Sequence, residues 1–186
     1  MTGEVLTDPV GRPHAMRERL LDERTRRLAR PAAEDGPTDA ASVLVCALGR
    51  SLYGLPLQGV ATVARFQRAA ALPGQPAAMI GLTGKAGAFF HVFDLGAWLT
   101  GTSAVTTPGF IVALRRPPPR VAIRVDRILG VATAIPLTAA EAAPLPASPP
   151  AVSAYARSAG TGELDGPLLA LVDLDRLVSA ETLPPS

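Results

Sequence analysis

Gly87-Ala-Phe-Phe-His-Val-Phe-Asp94-Leu95-Gly-Ala-Trp-Leu99 returns 79 residues further on as Gly166-Pro-Leu-Leu-Ala-Leu-Val-Asp173-Leu174-Asp-Arg-Leu177. Each copy reads as a glycine turn, an apolar strand and an Asp placed where a helix N-cap sits. A carboxylate there accepts a bond from an orphan amide and complements the positive helix end. The Leu that follows, and apolar residues three to four positions on, pin a short helix back onto its strand. Two such units in one chain point to a molecule built from two related halves.

A second correspondence precedes the first. Val43–Leu48, the turn Gly49–Ser51 and Leu52–Leu57 read as a hairpin, as do Phe110–Leu114, the turn Arg115–Pro119 and Arg120–Val125. Each is followed by apolar residues spaced by three: Leu57, Val60 and Val63 in one half, Val125, Ile128 and Val131 in the other. The offset between halves grows along the chain, which places the extra residues of the second half in the proline-rich stretch Pro136–Pro150.

Composition narrows the function classes. The chain has 186 residues, 48% hydrophobic and only 4% aromatic, enough for one ordinary core or two small ones. Its net charge of +2 comes from a small excess of Arg. The arginines are spread along the chain, and no basic stripe interleaves with aromatics as a single-strand binder requires, so nucleic acid is not an expected partner. Cys46 is the single cysteine and sits in an apolar run, which removes a disulfide framework and fits a reducing compartment. No apolar run approaches a membrane span and no secretory leader is visible, so a cytoplasmic protein without membrane insertion is expected.

Residues 1–38 read as an extension: a polar start, an Arg/Glu-rich helix over 14–30 with too thin an apolar stripe to bury a full face, and a Pro/Ala/Gly linker. From residue 41 the texture changes to short apolar runs between Gly and Pro. Strands are predicted near 43–48, 52–57, 60–66, 79–84, 88–93, 110–115, 120–126, 128–135, 154–160 and 167–172, with helices starting at Asp94 and Asp173. Ten strands in two sets of five suit a pair of small closed barrels, since closure removes exposed edges. Residues 181–186 form a tail.

Gly49–Leu57, Val60-Ala-Thr-Val63, Leu72-Pro73, Pro76, Gly81-Leu-Thr, Gly87 with Asp94-Leu95, Val125-Asp126-Arg-Ile128 and Leu168–Asp173 stand in an order that resembles the CheW-like family over about residues 41–180. The resemblance implies a mainly β fold of two SH3-like five-stranded β-barrels packed across a hydrophobic junction, with short helices and no catalytic activity. It also implies an adaptor role: joining a CheA-type histidine kinase to the cytoplasmic tip of a methyl-accepting chemoreceptor. A tandem β-barrel module binding a small molecule or nucleic acid, outside chemotaxis, is the alternative.

Several positions depart from the family pattern. Where members carry Asn-Leu-Arg-Gly, this chain has Gly84-Lys85-Ala86-Gly87, so Ala86 stands at the Arg position and Lys85 one residue before it. Thr62 replaces a common Glu between the two valines, His91 a common Pro, and Gly96 a common Arg. Core positions match while polar coupling positions do not, which implies a retained fold with an altered partner surface.

The expected protein-binding set is Val60, Thr62, Val63, Phe66, Leu72, Lys85 and Ala86. Phe66 stands out because Arg65, Gln67 and Arg68 flank it with polar groups; core packing is the competing reading for Val60 and Val63. No catalytic residue, cofactor or metal site is expected. His91 and Asp94 are three apart on a strand and face opposite sides, and Asp94 is better used as a cap. Two histidines and one cysteine are too few ligands for a transition metal. Gly81, Gly84 and Gly87 precede a strand rather than a helix, so they read as turn glycines and not as a phosphate cradle.

Overall fold

A computed structural model describes residues 40–101 and 108–178, all within the compact unit Asp39–Ser186. The expected helix at 14–30, the rest of the extension 1–38 and the tail 181–186 lie outside the described residues. The elements run β1 (Ala41–Leu48), β2 (Ser51–Pro56), β3 (Val60–Arg65), β4 (Met79–Lys85), β5 (Ala88–Asp94), α1 (Leu95–Thr100), β6 (Phe110–Leu114) and β7 (Val121–Val125). They continue with β8 (Arg127–Pro136), α2 (Ala139–Ala142), β9 (Val152–Ala159), β10 (Leu168–Val172) and α3 (Leu174–Leu177). Every predicted strand is present. Both Asp-started helices form as read: Asp94 Oδ1 accepts from the Ala97 amide at 2.7 Å, and Asp173 Oδ1 accepts from Asp175 and Arg176 at 3.0 Å each.

The fold is mainly β, in two five-stranded sheets. The first closes on itself in the order β1-β2-β10-β9-β8; the second runs β3-β6-β7-β5-β4. Neither sheet is one half of the chain, and only the first is closed, which departs from the expected pair of closed barrels. The hairpin β1–β2 of the first half joins β8, β9 and β10 of the second, and the hairpin β6–β7 joins β3, β4 and β5. The two sheets match strand for strand. In each, the hairpin's second strand lies parallel to the strand that ends in the Asp cap, β2 to β10 and β7 to β5. The repeat is real, but the halves have exchanged hairpins.

That exchange explains why β1, β6 and β7 are buried on both faces. Along β1, Val43 and Val45 point into the closed barrel with Ala132, Ala156 and Leu169. Leu44 and Cys46 point out of it, into a shared cluster with Phe93, Val112, Leu114 and Ile123 of the other sheet. On β6 the same alternation sends Ile111 and Ala113 to the interior of the second sheet, with Phe66, Val92 and Ala122, and Val112 and Leu114 to the shared cluster. A strand packed on both faces loses its polar alternation, hence the continuous apolar runs in the sequence. The largest apolar cluster is therefore the junction between the sheets.

Two polar devices lock this arrangement. Asp126 Oδ2 accepts from the Gly49 amide at 2.7 Å, tying the β1–β2 turn to the end of β7. Arg124, in the middle of a strand read as apolar, is fully buried; its guanidinium reaches Asp126 at 2.6 Å and Asp94 at 3.4 Å. The inserted residues of the second half form α2, closed by a capping box between Thr138 and Glu141. Hydrogen bonds from the Thr138 backbone and hydroxyl, with help from Arg157, lower the Glu141 pKa.

Candidate functional site

β8 and β9 pair from Thr133↔Ala159 to Pro136↔Ala156 and so close the first sheet. Their counterparts in the second sheet, β3 and β4, are its two end strands and do not pair. The segment following β3 partly straps the gap. Ala70 and Leu82 exchange backbone bonds of 2.7 and 2.8 Å, and Thr83 Oγ1 donates to the Arg68 carbonyl. Gly81 makes the strap possible: a Cβ there would lie 2.1 Å from the Ala70 carbonyl oxygen, and its φ is +140°. Beyond the strap, β3 and the tip of the β4–β5 hairpin stand apart and open a cleft.

The cleft holds two cavities that share Lys85 and Ile111. One, of about 490 Å³, has an alanine floor that includes Ala64 and Ala113, with Lys85, Arg115, Arg116 and Arg120 around it. The other, of about 810 Å³, lies beside the strap, between Arg65, Arg68 and Lys85. Arginines that look scattered along the chain are here gathered in space. Over residues 60–125 the sequence holds six Arg and one Lys against a single acid, Asp94, and Asp94 is buried against Arg124. Arg115 Nη2 donates to the Val60 carbonyl at 3.2 Å, and Arg120 lies 6.0 Å from the Phe90 ring centre. Arg116 Nη1 is buried and has no hydrogen-bond acceptor among the described residues.

The structure divides the expected binding residues. Thr62, Lys85 and Ala86 all line the smaller cavity, although β3 and the hairpin tip are far apart in sequence. Val63 is 37% exposed; strand alternation turns it to the other side of β3 from Thr62. Val60 is in the junction core, and Leu72 packs against that core with its amide donated to Gln75 Oε1. Phe66 is 7% exposed and packs on Val92, Ile111, Ala113 and Ala122 while also lining the larger cavity, so it forms part of the cleft floor rather than the exposed contact its polar flanks suggest. The signal was in the strand period, which gives Phe66 the side of Ala64 and leaves Arg65 and Gln67 the outside. Phe89, which that reading passed over, is 74% exposed on the hairpin.

The groups that suggested chemistry have structural employment. Asp94 caps α1 and pairs with Arg124. Cys46 is fully buried, and burial pushes its thiol pKa up to about 12, so it is no thiolate nucleophile at neutral pH. Three contributors to the cleft escaped sequence reading: Arg115 and Arg116 read only as part of a hairpin turn and Arg120 only as the start of its second strand. Their clustering with Arg–Pro–Pro–Pro was visible, but not which strand edge the turn would face.

Against known proteins, the family model for the CheW-like domain matches residues 42–182. Among solved structures, the chain is similar to the scaffolding protein TtCheW from Thermoanaerobacter tengcongensis, with a TM-score of 0.57 and 17% identity. That match covers 77% of this chain and 95% of the other, and at such identity it speaks to the fold. No curated protein matches the chain.

Proposed function

The chain belongs to the CheW-like domain family, and from that premise we propose that it is a non-catalytic adaptor in chemosensory signal transduction, coupling the cytoplasmic tip of a chemoreceptor to a CheA-type histidine kinase. Two SH3-like units joined through the apolar junction form its body, and it works in the cytoplasm. Among the described residues no helix is long and apolar enough to cross a membrane. The observation that carries the reading is the convergence of Thr62, Lys85 and Ala86 on one solvent-open cleft. Family resemblance marks these as coupling positions, and the fold brings them together where a partner can reach them. Phe66 lies beneath that surface, Val60 and Leu72 belong to the junction, and Val63 offers exposed aliphatic area on the other side of β3.

Binding through such a surface comes from a few central residues with a ring of near-neutral contacts. Thr62→Trp adds bulk at the mouth of the cleft without touching the core. Titration of the purified chain with the CheA-type kinase of its own host is expected to show about tenfold weaker binding for this variant. Its melting temperature is expected to stay within about 2 °C of the parent, as for an exposed substitution. Absence of kinase binding by the parent chain overturns the adaptor reading.

A further inference from the structure

We infer that the open edge between β3 and the β4–β5 hairpin receives an extended, acidic segment of a partner protein, which adds alongside β3 and completes the barrel that the described residues leave open. Three independent observations converge on that occupant. The first is topological: the twin sheet is closed by the β8–β9 pair, whereas the matching β3 and β4 are end strands. An end strand carries a row of backbone donors and acceptors that a further strand can pair. The second is charge: Lys85, Arg115, Arg116 and Arg120 rim the smaller cavity and Arg65 and Arg68 the larger, with no carboxylate among the described residues of either lining. The third is Arg116, whose Nη1 finds no acceptor among the described residues, where an incoming carboxylate would supply one. The alanine floor completes the match, because alternate side chains of an added strand point inward and find small residues there.

This deepens the adaptor reading, and it depends on that reading only for which protein carries the segment. The probe is therefore a labelled, end-capped peptide of alternating Glu and Val, about six residues long as an ordinary strand is, titrated into the full chain by fluorescence anisotropy. Binding is expected at low salt and falls as salt rises and screens the cleft. Arg116→Glu with Arg120→Glu is expected to weaken it about tenfold or more, with Lys85→Glu as an independent variant should the double one unfold. Backbone N-methylation of the peptide removes strand pairing and is expected to abolish binding, and the Lys–Val counterpart is expected not to bind. Equal binding of the N-methylated peptide, indifference to the charge reversals, or tighter binding of a single-stranded oligonucleotide overturns the inference. Kinase binding by a chain that ignores the Glu–Val peptide sinks this inference alone. Peptide binding by a chain that ignores the kinase sinks the adaptor reading and leaves the docking chemistry standing.

Discussion

Arg124 is the residue on which the interior depends most. Its guanidinium is buried between Asp94, which also caps α1, and Asp126, which also holds the β1–β2 turn. Removing the cation leaves Asp94 charged and buried, whereas neutralising Asp94 still leaves Arg124 its closer bond to Asp126. Arg124→Leu is therefore expected to cost about 3–5 kcal/mol and Asp94→Asn about 1–3 kcal/mol, measured by urea unfolding. The reverse order would mean that the cap, not the ion pair, carries the energy. Sequence reading saw half of this. The Asp94 cap is a local pattern, four residues wide, and could be read directly. The burial of Arg124 is harder to read, because only Asp126 is a local partner, two residues on, while Asp94 comes from a different strand.

At the scale of elements, the short apolar runs between Gly and Pro were enough to place all ten strands, since a strand needs only a handful of residues and a breaker at each end. α2 was missed because a four-residue helix in a proline-rich insert has no period to display; only its Thr138–Glu141 capping box betrays it. Phe66 shows how neighbours mislead. Polar flanks suggested exposure, but its side of the strand continues from Ala64 into the interior, and its amide is held by the Gly109 carbonyl at 2.9 Å. Phe66→Ala is accordingly expected to destabilise the protein by about 3–5 kcal/mol through the cavity it leaves, read as a lowered urea midpoint. A variant that kept full stability but lost partner binding would return Phe66 to the surface role first expected of it.

For the molecule as a whole, the repeat revealed which strands are equivalent but not which copy each one joins. Both hairpins have the same period and the same apolar faces, so pairing within a half and pairing across halves satisfy one and the same pattern. What separates them is three-dimensional: in the first sheet Leu44 lies opposite Val131 and Ala170 opposite Tyr53, and in the second Val63 lies opposite Val112, so each sheet draws strands from both halves of the chain. The junction core then has no owner, being built from β1 and β2 on one side and from β5, β6 and β7 on the other. Such long-range pairing carries a loop-closure cost that is met only when both halves are present. Two polypeptides, 40–101 and 108–178, are thus expected to be unfolded by circular dichroism when alone. Mixed at equal concentration, they are expected to recover a strand-rich spectrum and one cooperative melt, as is expected of the intact chain. If 40–101 alone melted cooperatively, its hairpin would have paired with its own β3–β5, and the exchange would be a choice of partner rather than a requirement of the fold.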